Sequence, residues 1–277
     1  MGSYRHFLLV GLLMAFSAAT RAEEAHHQGG TATVRSGQIL GQPWEEKSGL
    51  WRGRLFGSYL SSGSSFDAEG GKKPLADGGQ FTNWGLNLYG EFAITDRWSG
   101  SAFLPLQRST FENRLKRDTW TSRGDVYGWA RYRFDDLNGF TPALVLGAKV
   151  PGNYQVTSGF GDGQVDYELQ GFLTKSIKNG HYFSLNSGYR YRLGSVSNEI
   201  IFGGQFGLAL RPGWMVIPSV NGVKGIGSGT QKDYLNAGFS TLKTISGSWS
   251  LFASYNKILS GKNTVDAEVW SIGVSFR

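Results

Sequence analysis

The feature that most constrains this chain is an alternation of side chains in steps of two. Within Gln80–Trp98, the residues Trp84, Leu86, Leu88, Gly90, Phe92 and Ile94 make one apolar row, while Asn83, Asn87, Tyr89 and Glu91 make the other. About twelve segments of roughly ten to fourteen residues repeat this period, near 50–61, 81–94, 98–109, 122–134, 140–151, 164–175, 181–193, 197–210, 214–224, 234–244, 248–258 and 265–276. A period of two belongs to a β-strand, whose successive side chains point to opposite faces. The connections alternate in length. "TDR", "DDLNG", "SIKNG", "RPG" and "ISG" are tight turns, whereas "SSGSSFDAEGGKKPLADGG", "STFENRLKRDTWT", "PGNYQVTSGFGDG" and "GIGSGTQKD" are longer and polar. Short and long connections therefore fall at opposite ends of antiparallel strands.

A soluble sandwich alternates too, so the contents of the two rows decide. In 50–61, Trp51, Gly53, Leu55, Gly57 and Tyr59 oppose Arg52 and Arg54; in 122–134, Val126, Gly128, Ala130, Tyr132 and Phe134 oppose Asp125, Arg131 and Arg133. An arginine or lysine at a bilayer midplane costs about 2–4 kcal/mol, so the charged rows face a wet interior and the apolar rows face lipid. The outward aromatics support this reading. Trp51, Phe92, Trp98, Phe134, Phe140, Phe183, Trp214, Trp249 and Phe276 collect near the short-turn end, and Tyr59, Trp84 and Trp270 near the long-loop end. Two belts of rings around an aliphatic band match the two interfaces of a membrane. The expectation is an all-β fold, a transmembrane antiparallel up-and-down β-barrel of about twelve strands over 50–277. Pro105, Pro142 and Pro218 fall in or near strands, where they cannot donate to the ladder, and predict bulges or strand ends.

Composition agrees with this and sets the compartment. The chain has 41 glycines, 14% aromatic residues and no cysteine, which removes thiol catalysis, cysteine-ligated zinc and disulfides. Residues 1–22 read as a signal peptide: Arg5, then "FLLVGLLMAF", then small residues suited to cleavage after Ala22 or Ala19. Loss of that segment takes Arg5 and Arg21 with no acid, lowering the formal net charge of +7 by two. The chain stays mildly basic without the clustered basic tracts of a nucleic-acid binder. Export and a barrel together predict the outer membrane, with membrane lipids as partner. Residues 23–49 read as a periplasmic lead or as a small plug anchored by Trp44. His26 and His27 on that lead are weak metal ligands at most, so no metal or cofactor is expected.

Several stretches carry a likeness beyond patterning: "HHQGG", "LYGEFAITDRWSGSAFLPL", "RGDVYGWARYRF", "GAKVPG", "GFGDGQVDYELQG" and "GYRYRLG". Together they resemble the bacterial outer-membrane transporter family associated with the meta pathway of phenol degradation. The resemblance implies an outer-membrane barrel that passes small, aromatic or hydrophobic molecules, and it brings no set of functional residues. The closing "VWSIGVSFR" resembles the C-terminal signal read by the barrel assembly machinery, with Phe276 as its aromatic and Arg277 as a departure.

By parity the lumen row holds Arg52, Arg54, Arg131, Arg133, Lys149, Arg190, Arg192 and Arg211 against Glu91, Asp125, Asp166, Glu168 and Glu199. Two readings of these pore-lining residues stay open. They form an anion-preferring constriction for a small solute, or they pair across the lumen as a structural lattice. The first predicts a monomeric channel or transporter. The main alternative is a structural or adhesive barrel using loops 62–79 and 108–121. Catalysis is not expected: the only strand histidine, His181, lies at the short-turn end with Ser184 three residues on and so on the other face, while a serine–histidine dyad needs one face and hydrogen-bond reach.

Overall fold

The computed structural model describes residues 48–154 and 161–277. The signal peptide, the lead over 23–47 with His26, His27 and Trp44, and the first glycine of "GFGDG" lie outside the described residues. Twelve long strands build one sheet: β1 (Trp51–Ser62), β2 (Gln80–Ala93), β3 (Trp98–Glu112), β4 in two pieces (Arg117–Arg123 and Val126–Arg133), β5 (Thr141–Val150), β6 (Val165–Ser176), β7 (Tyr182–Leu193), β8 (Asn198–Arg211), β9 (Trp214–Ile226), β10 (Asp233–Thr244), β11 (Trp249–Lys262) and β12 (Glu268–Phe276). Every neighbour is antiparallel, and β1 pairs with both β2 and β12, so the sheet closes into an up-and-down barrel of twelve strands. Closure leaves the barrel wall without a free edge at membrane depth, where no water is available to satisfy one.

The closing seam runs between Gly53–Ser61 of β1 and Glu268–Phe276 of β12. Gly53 has no side chain, and the Phe276 ring occupies the space: a Cβ there would lie 2.4 Å from the ring. That ring also meets Trp51 and Trp249, each with centroids 5.3 Å away. An aromatic lying over a glycine on the neighbouring strand pins register at the seam. The short turns carry their own signals. In the β4–β5 and β6–β7 connections, Asn138–Gly139 and Asn179–Gly180 all take positive φ, the requirement of tight hairpins that asparagine and glycine meet most cheaply.

The prolines mark irregularities. The Gly124 N–H donates to the Pro105 carbonyl, so the ring nitrogen of Pro105 also faces β4, and β4 breaks at Gly124–Asp125 opposite it. Between β8 and β9 the ladder skips Ile217 and Pro218. Pro142 sits one residue inside the start of β5.

The long connections have more structure than their polarity suggests. Residues 64–66, 72–74 and 264–265 form a separate three-stranded sheet, and Phe66 packs with Leu60, Ile258, Ala267 and Val269. Leu60, Ile258 and Val269 are inward positions of β1, β11 and β12, so this loop seats in the long-loop mouth. The stretch 109–121, expected as a loop, is instead a hairpin: β3 runs on to Glu112 and pairs with Arg117–Arg123 around the turn at Asn113–Lys116. Its threonines and aromatics alternate as strand residues do; the charges at 112–118 mask that period in the sequence.

Candidate functional site

The inward rows of the strands divide the lumen into three tiers. At the long-loop end, charged side chains from β4 to β8 converge. Lys149 contacts Asp166 at 2.9 Å and Asp125 at 3.6 Å, and also pairs with Asp162 from the β5–β6 connection. Arg192 binds Glu199 at 2.7 Å, Asp166 at 3.3 Å and again Asp162. Arg190 bridges Glu168 at 2.9 Å and Glu199 at 2.6 Å. These three cations are only 2–4% exposed, which they tolerate because each holds at least two carboxylates. The Tyr154 hydroxyl donates to Asp125; burial, then the Asp125 charge, pushes that hydroxyl well above its ordinary range. Tyr154 and Asp162 thus tie both described ends of the β5–β6 connection to the inner wall.

Below this lattice lies a tier of rings that the sequence reading passed over. Phe56, Tyr89, Phe103, Tyr127, Trp129, Ala143, Val145 and Phe172 form one buried cluster, with Phe252 packed against it. Ring neighbours run from Phe252 to Phe56 at 5.4 Å, Phe56 to Phe103 at 6.2 Å, Phe103 to Tyr127 at 6.1 Å and Tyr127 to Trp129 at 5.5 Å. This chain crosses from β11 through β1 and β3 to β4. Gly147 makes the end of it possible: a Cβ there would lie 2.5 Å from the indole. The indole instead reaches across β5, and its Nε1 donates to Glu168 at 2.5 Å. A signal was present in the sequence, since Phe56 shares parity with Arg52 and Arg54, and Trp129 with Arg131.

The rest of the wall differs. From β7 to β12 the inward positions include Ser184, Asn186, Gln205, Ser219, Asn221, Asn236, Ser254, Asn256 and Ser271. The buried oxygens of Asn236 and Ser271 have no hydrogen-bond partner among the described residues. Most of the rings lie in one half of the lumen, whereas the other carries many hydrogen-bonding groups beside Tyr182, Ile217 and Phe252.

The third tier, at the short-turn end, holds Arg52, Arg54, Arg131 and Arg133 around Glu91. Arg52 and Glu91 are register partners on β1 and β2. Glu91 accepts from the Tyr89 hydroxyl at 3.1 Å and from Ser99 at 3.4 Å. The Arg54 guanidinium stands 5.9 Å from the Tyr89 ring and 5.8 Å from the Phe252 ring, cation–π distances that join this tier to the rings.

Of the thirteen charged residues expected in the lumen, twelve take inward positions and Arg211 does not. A register shift between Ala209 and Arg211 sets Arg211 opposite the outward Trp214, exposed at the strand end. A bulge flips parity, and nothing in the sequence marks this one. Asp162 joins the lattice from a loop, where parity gives no information. Asp266, which shares parity with the outward Trp270 and so reads as outward in the sequence, is instead buried and bonded to Ser64 and Lys72 of the loop sheet. The twelve expected interface aromatics lie on the outer face, where Tyr59 packs at a tilt against Trp84 with centroids 4.5 Å apart and Tyr255 against Trp270 at 4.4 Å. His181 accepts from the Ala209 N–H through Nδ1 at 3.1 Å, and Ser184 bonds to Thr174 at 2.9 Å inside the barrel. The two do not meet.

No family model and no curated protein matches the chain. Solved structures do. The COG4313 outer membrane channel from Pseudomonas putida F1 is 15% identical with a TM-score of 0.69, over 88% of this chain and 99% of that one. The NanC porin is 11% identical with a TM-score of 0.56, over 81% and 99%. The KdgM porin in complex with disordered oligogalacturonate is 7% identical with a TM-score of 0.53, over 81% and 98%. At these identities the likeness is one of fold, that of outer-membrane barrels.

Proposed function

We propose that this chain is a monomeric outer-membrane channel for passive uptake of small amphipathic solutes, aromatic acids foremost. The observation that carries the reading is the uneven lumen: a continuous run of rings from Phe252 to Trp129, hydrogen-bonding groups concentrated from β7 to β12, and Arg54 standing among the rings. A flat apolar solute with one carboxylate satisfies all three surfaces, because ring stacking, hydrogen bonding and a charge-assisted contact are offered within one cross-section. The channel and porins that share the fold support conduction. The likeness of "GAKVPG" and its companions to the phenol meta-pathway family supports an aromatic permeant. The C-terminal strand is the segment handed to the barrel assembly machinery in this reading.

The test is single-channel recording of the refolded chain in a planar bilayer, with benzoate and hexanoate added in turn at equal concentration. Both carry one charge, so a stronger block by benzoate isolates the rings. Equal block would remove the aromatic preference, and silence from a demonstrably folded barrel would remove the conduit. A surface role is the second reading. It is favoured by the ordered sheet at 64–74 and the hairpin at 109–121, both beyond the outward aromatic belt. Deleting 64–74 would then abolish cell-surface binding and leave conductance unchanged.

A further inference from the structure

An open cavity of about 530 Å³ lies on the outside of the barrel at its long-loop end, lined by Thr82, Trp84, Arg108, Thr110, Glu112 and Arg117 among others. It is far from the lumen tiers, since these residues belong to the outward rows of β2, β3 and β4. Trp84 is opposite Arg108, Arg108 is opposite Thr121, and Leu106 is opposite Arg123. Arg108 therefore sits level with the Trp84–Tyr59 pair, one step above the exposed Leu86 and Leu106. That is the boundary between the aliphatic band and water, the depth of lipid headgroups.

The charges there differ in pairing from Lys224 and Lys257 elsewhere on the rim. Lys224 is held by Asp233 at 2.5 Å, and Lys257 by Asp266 at 3.0 Å and Glu268 at 3.1 Å. Arg117 has Glu112 at 3.6 Å. Arg108 and Arg123 have no carboxylate partner among the described residues, although both are exposed. They are diagonal neighbours on one face, a spacing of about 7 Å between Cβ atoms, so two guanidinium forks can close on one anion. Guanidinium groups match phosphate geometry two bonds at a time. Thr82 and Thr110 add hydroxyl donors, and the Trp84 ring offers a flat face for a sugar or acyl chain.

We propose that this cavity binds a phosphate of an outer-leaflet glycolipid, with Arg108 on the cavity wall and Arg123, beside the cavity one diagonal step from Arg108, as the principal ligands and Trp84 as the apolar anchor. The assignment rests on the outer-membrane reading but not on conduction, because none of these side chains reaches the lumen. The bound lipid fixes the barrel's depth on the side where β4 is broken and its upper piece pairs only with β3.

The experiment is titration of the refolded full chain in neutral detergent with bisphosphorylated lipid A. The Arg108→Gln/Arg123→Gln variant is expected to bind about tenfold or more weakly. Lipid A stripped of phosphate should bind the unaltered chain no better, while conductance stays the same in both proteins. Equal affinity of variant and parent, equal affinity for the dephosphorylated lipid, or the same loss in Lys224→Gln would each overturn the site. Displacement by inorganic phosphate at concentrations equal to the lipid would overturn the lipid assignment in favour of a small-anion site. Should the glutamine variant fail to refold, Arg108→Lys/Arg123→Lys keeps the charges but not the forks, and undiminished binding by it counts against the proposal. Normal lipid binding with no conductance would instead leave the site standing and remove the channel.

Discussion

Glu168 serves two walls of the lumen at once. Its Oε1 accepts from the Trp129 indole at 2.5 Å and Gln170 at 3.0 Å, and its Oε2 takes Arg190 at 2.9 Å. In a site this buried, removing one partner of an ion pair costs more than the pair contributes, because the remaining charge has lost its compensation. Glu168→Gln leaves Arg190 with Glu199 alone and is expected to lower stability by about 2–3 kcal/mol, read as thermal unfolding in detergent; an unshifted transition would mean that the lattice is slack. Two glycines on the same outer face of neighbouring strands offer a matched contrast. Gly53→Ala displaces the Phe276 ring from the closing seam and should cost about 1–2 kcal/mol, whereas Gly90→Ala meets nothing within 4 Å and should leave the melting curve where it is. Residue by residue, the charged half of the site was legible because arginine and lysine cannot face lipid, so parity alone sorted Arg52, Arg131, Lys149 and Arg190 inward. The inward rings were not, since Phe56 and Trp129 are as acceptable to lipid as to the lumen and only their parity distinguishes them.

The strands were legible for a physical reason: one side of every strand faces hydrocarbon and the other faces a polar interior, so the period of two survives along the whole chain. Departures from that period came where one backbone unit shifts register, as at Ala209–Arg211, or where charge overlies a hairpin, as at 112–118. Loop 62–79 is the element whose behaviour can be read from its charges. Asp67 accepts from the Glu69 and Gly71 N–H groups and pairs with Lys73 at 2.7 Å; the Lys73 hydrogen bond, then Gly71, holds its carboxyl below the ordinary value. Burial alone would raise Asp266, yet hydrogen bonds from Lys72, Lys257 and Ser64 outweigh it and hold that carboxyl low as well. A carboxyl depressed in the folded state contributes stability that is complete above its unfolded value and is lost as pH falls through the folded one. The loop sheet should therefore stay closed at neutral pH and loosen only below about pH 3.8, the ordinary value of both groups. Limited pepsin digestion across pH 2–5 should cut within 67–73 only at the acid end. Asp266→Asn should make the same loop sensitive to neutral proteases, and resistance in that variant would show that the apolar contacts of Phe66 hold the loop without help.

At the scale of the whole molecule, the lumen charge is polarised along the barrel axis. Among the described residues, the long-loop tier sets Lys149, Arg190 and Arg192 against Asp125, Asp162, Asp166, Glu168 and Glu199, a formal excess of two negative charges. The short-turn tier sets Arg52, Arg54, Arg131 and Arg133 against Glu91, an excess of three positive charges. The inner tier carries the positive excess and the outer tier the negative one, so the inner tier is where a permeating anion meets net attraction. Fixed charge of opposite sign at the two ends of a narrow conduit makes current depend on the direction of the applied voltage. The channel proposed above is thus expected to rectify and to prefer anions, and Arg131→Gln/Arg133→Gln should lower both effects together. Screening supplies the discriminating condition, because the Debye length is about 10 Å at 0.1 M salt and about 3 Å at 1 M. Rectification should be pronounced at the lower concentration and fade at the higher one, and the variant at low salt should approach the parent at high salt. Rectification that persists undiminished at 1 M would show that the fixed charges of the two tiers are not its source.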